Sequence, residues 1–182
     1  MSEENVNLGE KRQTTNQKKS GLQIRDLVLT AILLAAGAVL KFFVGTMINI
    51  GGMKPNFIIA MYCMAIVLIR PRILEAAIIG ILAGAICQFF PGTPYLNFAS
   101  ELAGALAMAL LIRVPMPEVI KPAVSTFLST VVSGGLYTLL LIFALHMDKA
   151  TLAAYIPIVL CTAAINCIIV QILYFPLKLT LK

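Results

Sequence analysis

The chain has 182 residues, 60% of them hydrophobic, and a mean hydropathy of +0.95. So little polar surface cannot cover a soluble globule of this size, which places the chain in a bilayer. Its formal charge of +6 is compatible with a nucleic-acid partner only if the basic residues cluster on one surface, and they sort instead by their position between apolar segments.

Residues 1–25, MSEENVNLGEKRQTTNQKKSGLQIR, are charged and rich in Asn, Gln and Thr. They lack the short apolar core of a secretory signal, so they read as a disordered basic cytoplasmic tail. A hydrocarbon core of about 30 Å takes roughly 20 apolar residues as a helix, and cutting the rest at charges, prolines and glycine turns predicts six spans. They run over about Asp26–Gly45, Asn56–Ile69, Ile73–Phe90, Tyr95–Ile112, Ala123–Leu145 and Leu152–Leu177. The expectation is an all-α integral membrane protein, with residues 26–182 forming one six-helix transmembrane domain. Six spans put both termini on one side. Eleven of the 14 Lys and Arg residues lie on that side, leaving only Lys41, Lys54 and Lys149 for the other. The excess of positive charge on cytoplasmic loops then predicts both termini in the cytoplasm of a multi-pass protein of the bacterial cell membrane.

With that topology the stretch INIGGMKPNF, Ile48 to Phe57, faces outward. Gly51 and Gly52 permit backbone geometry that bulkier residues resist, and Pro55 pushes Lys54 out of helical conformation. Lys54 then sits either in an ordinary external loop, snorkelling to lipid phosphates, or in the lid of a ligand pocket. Glu101 lies one turn into the fourth span, four residues after Asn97, so the two share a helix face. A carboxylate at that depth requires a cavity or a partner; an inter-helix hydrogen bond or a pair with Lys41 is the structural alternative. Glu75, beside Arg70 and Arg72, reads as structural. At the same outer level stand Phe57, Phe89, Phe90 and Tyr95, with Gln88, Tyr137, Tyr155 and Asn166 as further members. Singly these are interface anchors; together with one cation and one anion they describe a site for a zwitterion with an aromatic flank.

Small residues recur at helical spacing, Ala31 and Ala35 in the first span and Gly80 and Gly84 in the third, where helix backbones can approach closely. Gly80 and Gly84 read as internal packing, Ala31 and Ala35 as a surface for a partner. Ser125, Ser129 and Ser133 share a face of the fifth span and are explained by inter-helix hydrogen bonds. The four cysteines have no CxxC spacing and read as small buried hydrophobes. No His, Asp and Glu cluster points to a metal, no GxxxxGK[ST] loop points to a nucleotide, and no catalytic site or cofactor is expected.

The basic tail, the alanine-spaced first helix and the polar loop before a short second helix resemble the substrate-binding subunit, or S component, of an energy-coupling factor (ECF) transporter. Within that group, GGMKPN at Gly51 to Asn56 and FPG at Phe90 to Gly92 are most similar to the bacterial tryptophan-transporter family. The family pattern carries an acidic residue where Asn56 stands and an asparagine matched by Asn97. The resemblance implies a substrate-capture subunit for tryptophan or another aromatic amino acid. Lys54 would meet the ligand carboxylate and Glu101 its ammonium, with hydrogen bonds from Asn56 and Asn97 and stacking by Phe57, Phe89, Phe90 and Tyr95; Tyr137 and Asn166 complete the expected site. It further implies docking through Ala31 and Ala35 onto a transmembrane coupling subunit driven by two ATPases. The competing readings are an S component for a vitamin, a stand-alone secondary transporter with Glu101 as proton carrier, and a non-transporting membrane scaffold.

Overall fold

A computed structural model describes residues 21–47, 55–90, 93–148 and 150–180. Lys54, the glycine pair before it, and the tail up to residue 20 lie outside the described residues. Among the described residues the six helices are α1 (Ile24–Met47), α2 (Phe57–Ile69), α3 (Ile73–Cys87), α4 (Pro94–Leu111), α5 (Lys121–Ala144) and α6 (Ala150–Thr180).

Local chemistry sets their ends. Pro71 disfavours helical geometry at Arg70, which closes α2 in the left-handed region at φ 52° with its N–H donating to the Ile66 carbonyl. Glu75 then caps α3 by accepting from the Arg72 N–H at 2.8 Å. Prolines begin α4 and α5, where the missing N–H costs nothing. The third span ends at Cys87, short of the expected Phe90, because Gln88, Phe89 and Phe90 turn off through tighter bonds to the carbonyls three residues back. The sixth is longer than expected and runs through Pro157 and Pro176.

Among the described residues three helices, α1, α5 and α6, are long and apolar enough to cross a membrane by length and composition; α2, α3 and α4 are shorter apolar helices. The bundle is apolar outside as well as inside: Phe42, Phe43, Leu74, Phe143, Ile172 and Leu179 are among many large exposed hydrophobics. Such an exterior suits lipid, and helices satisfy their own backbone there. The shortest helix is the centre. Of the 13 residues of α2, the run Phe57 to Val67 is buried throughout, and α2 touches all five other helices. A helix apolar all round has to be enclosed, and here it is enclosed by protein rather than lipid.

Gly80 and Gly84 fit α3 against α4, as the spacing predicts. A Cβ on Gly80 would stand 2.8 Å from the Ala105 Cβ and 2.9 Å from the Glu101 carbonyl oxygen; one on Gly84 would stand 2.9 Å from the Phe98 Cα. Ala31 and Ala35 on α1 are exposed, with none of the other described helices over them. The cysteines divide: Cys63 and Cys87 are buried, whereas Cys161 is exposed and Cys167 half-buried, so the expectation of four buried thiols is corrected. α6 presents Cys161 outward on a face flanked by exposed Leu160 and Ile168.

The helices alternate in direction, which brings the start of α1 and the end of α6 to one side. Gly21 approaches the Glu75 carboxylate there, the Arg113 guanidinium donates to the Pro71 carbonyl at 2.8 Å, and Lys178 reaches Glu118 at 3.3 Å. Glu118, in the loop between α4 and α5, is the hub of that side. Arg70 donates to its two oxygens at 2.8 and 3.0 Å, and Lys121 and Lys178 lie at 3.6 and 3.3 Å. The Arg70 hydrogen bonds hold the Glu118 carboxyl down at about 2, so it stays ionised at any pH a cell meets.

Candidate functional site

The interior between α2, α4, α5 and α6 is polar. Glu101 is 1% exposed, and Ser125, Thr126, Ser129, Thr130, Ser133 and Asn166 are equally enclosed. A polar group costs energy in such a place unless it is hydrogen-bonded, and an acid costs most.

Asn56 is the residue before α2. Its side chain makes no hydrogen bond to the helix it precedes, although capping is worth about 1 kcal/mol. Its Nδ2 donates instead to Glu101 Oε1. The other carboxylate oxygen, Oε2, accepts from the Ser133 hydroxyl at 3.2 Å. Asn166, halfway along α6, donates to the Asn56 backbone carbonyl at 3.2 Å and to the Thr130 hydroxyl at 3.5 Å. Four helices are thereby tied to one carboxylate. Ser129 donates to the Gly104 carbonyl at 2.8 Å, one turn below Glu101. Gly104 must lack a side chain because the Tyr62 hydroxyl and the Ser133 Cβ occupy the space a Cβ would need.

A cation stands nearby. Lys41, near the end of α1, donates to the Cys87 sulfur at 3.4 Å and lies 4.9 Å from the centre of the Phe90 ring. The Cys87 sulfur is 3.9 Å from Glu101 Oε1. Lys41 therefore reaches Glu101 through the thiol and does not form the direct pair that the sequence offers as an alternative.

Two buried amide oxygens, Asn56 Oδ1 and Asn166 Oδ1, have no hydrogen-bond partner among the described residues. An unsatisfied buried acceptor costs about 1–3 kcal/mol. With the Glu101 carboxylate they form a set of acceptors suited to a primary ammonium, which brings three donors.

The structure brings Asn56, Glu101 and Asn166 together, with Phe57 buried beside Asn56 and Phe90 against Lys41. Asn97 lies one turn before Glu101, partly buried, its carbonyl accepting from Ser100 at 3.4 Å. Tyr137, one turn beyond Ser133 on α5, is hydrogen-bonded to Thr93 at 2.7 Å. Phe89 and Tyr95 are 87% and 83% exposed and do not reach the cluster. Phe89 sits in the turn that ends α3, and Tyr95 lies roughly 120° around α4 from Glu101; both face the surroundings as interface aromatics do. Lys41, Tyr62, Cys87 and Ser133 are members that the sequence pattern does not assign. The stripe Ser125, Ser129, Ser133 in an otherwise apolar helix is the available signal for Ser133; Tyr62 carries only one hydroxyl inside an apolar run.

An α-helical, multi-pass membrane protein with an acid-bearing polar interior is the class that this fold and site define, and such interiors mark solute pathways. The family model described as "Tryptophan transporter TrpP" matches residues 23–182, and the chain belongs to that family. It is 24% identical over 168 residues to a probable tryptophan transport protein of Clostridium acetobutylicum, covering 88% of this chain and 96% of that protein. It is 28% identical over 159 residues to a probable tryptophan transport protein of Bacillus subtilis, covering 84% and 90%. No solved structure matches.

Proposed function

We propose that the protein takes up tryptophan across the cell membrane, serving as the capture subunit of an ATP-driven ECF-type transporter with both termini in the cytoplasm. Membership of the tryptophan transporter family supports the substrate. The observation that carries the site is the buried Glu101 carboxylate beside the unsatisfied amide oxygens of Asn56 and Asn166. They receive the ligand ammonium; Lys54 in the outer loop, helped by Lys41, receives its carboxylate; Phe57 and Phe90 flank the ring. The exposed Ala31 and Ala35 support docking of α1 on a transmembrane coupling subunit with its two ATPases.

The chain contains no tryptophan, so bound ligand supplies its own fluorescence against a tyrosine background. Purified protein in detergent is expected to bind tryptophan saturably, and Lys54→Ala to weaken binding roughly tenfold or more, as befits a lost charged hydrogen bond. A folded sample with no binding at millimolar tryptophan would remove the substrate assignment and direct attention to vitamins. Ala31→Trp separates capture from coupling: it is expected to abolish uptake into cells while leaving tryptophan affinity nearly unchanged. Uptake that survives this change and without an ATPase partner, yet collapses with a protonophore, would instead identify a secondary transporter working through Glu101.

A further inference from the structure

Away from the acidic interior, the side of the bundle that carries the ends of α1 and α6 holds a cavity of about 360 Å³. It is lined by Val67, Leu68, Arg70, Glu118, Tyr174 and Lys178. One wall is apolar and the other charged. Arg70, Lys121 and Lys178 converge on the single carboxylate of Glu118, which leaves two positive charges in excess. The side chains of Arg70 and Lys178 are 53% and 40% exposed, and both line the cavity. A guanidinium has five N–H donors and an ammonium three; Glu118 engages Arg70 only through Nη2. The Tyr174 hydroxyl, 3.4 Å from Glu118 Oε2, adds a polar group at the same level.

The depth of the cavity limits what fills it. Lys178 lies in the last turn of α6, and its neighbours Phe175 and Leu179 are exposed apolar side chains, 42% and 72%. The charged wall thus stands where the apolar exterior of the bundle ends, which is the level of lipid phosphates. Basic pockets between helices at that level attract anionic headgroups.

We propose that this cavity binds the phosphate of an anionic phospholipid of the adjoining leaflet, held by Arg70 and Lys178, with the acyl chains leaving along the apolar exterior of α6. Glu118 offsets one of the three nearby positive charges and opposes the anion. The site is independent of the tryptophan reading and does not share a residue with it.

The test uses the full-length protein, purified and exchanged into mixed vesicles of phosphatidylglycerol and phosphatidylcholine. Lipid retained after mild detergent extraction is counted by native mass spectrometry, and headgroup affinity by titration. The wild type is expected to retain phosphatidylglycerol in preference to phosphatidylcholine. The double variant R70Q/K178Q is expected to lose roughly twenty-five-fold in phosphatidylglycerol affinity, about fivefold for each charge removed near the surface and compounded over two. Glu118→Gln provides the opposite sign: it raises the positive excess by one, so phosphatidylglycerol retention should increase even as the ion cluster loosens. Equal retention of the two lipids by the wild type, or reduced phosphatidylglycerol retention in Glu118→Gln, would overturn the proposal and leave a structural ion cluster. Displacement of the lipid by millimolar inorganic phosphate alone would overturn the lipid source in favour of a soluble phosphate.

Discussion

Glu101→Gln is expected to weaken tryptophan binding by roughly one to four decades while leaving the protein at least as stable as the wild type. The two effects have opposite signs because a carboxylate enclosed at 1% exposure is costly to the empty protein. Among the described residues only neutral donors contact it directly: Asn56 Nδ2, the Ser133 hydroxyl and, at 3.9 Å, the Cys87 thiol. Glutamine keeps the size and removes the charge, so thermal unfolding in detergent should occur at the same temperature or above. A bound ammonium then loses its ionic partner in a low-dielectric interior, a loss worth about 2–5 kcal/mol, or one to four decades in Kd. Stability traded for affinity is the mark of a residue held for function. The fluorescence titration checks the first effect and a thermal melt the second. Adding Asn56→Asp to the Glu101→Gln protein returns a carboxylate to the same cluster and should recover part of the affinity. A variant that unfolds earlier but binds normally would make Glu101 a structural tie between helices and remove it from the site.

The six helices are legible in the sequence because lipid permits only long apolar runs between polar turns, and charges, prolines and glycines mark nearly every boundary. What hydropathy does not convey is order of burial. The 13 residues of α2 look too short to span, and their reason emerges only from the five helices around them. Polar residues in apolar segments are equally conspicuous, and Asn56, Glu101 and Asn166 come from three separate helices or their ends to one cluster. The aromatic residues are less informative. Phe89 and Tyr95 share the outer level with Phe57 and Phe90, but level is not direction: the turn after Cys87 and the rotation of α4 aim them outward. Lys41 is visible as a cation at the right height, and only the packing of α3 between it and Glu101 reveals that the Cys87 thiol separates the two.

Gly80→Leu should destabilise the protein more than any exposed substitution and take tryptophan binding with it. The space beside Gly80 is bounded by the Glu101 carbonyl oxygen and the Leu102 Cα, both 2.9 Å from where a Cβ would stand, and by the Ala105 Cβ at 2.8 Å. None of these is the tip of a flexible side chain that can swing aside, so α3 and α4 must separate. Overpacking a close contact costs about 1–3 kcal/mol, and leucine against backbone belongs at the upper end. The helix displaced is the one that carries Glu101, so its carboxylate withdraws from Asn56 and Ser133 and the acceptor set opens. Gly80→Ala should show the same effects more weakly, because the first carbon already collides. Gly135, with nothing within 4 Å of the corresponding position on α5, is the control: Gly135→Ala should melt at the wild-type temperature or higher, since alanine removes about 0.5–1 kcal/mol of backbone cost within a helix. Both variants are read by thermal unfolding and by tryptophan titration on the folded fraction. A Gly80→Leu protein as stable as the wild type would mean that α3 and α4 do not meet at this glycine. A destabilised one that still binds with full affinity would uncouple the α3 and α4 contact from the position of Glu101.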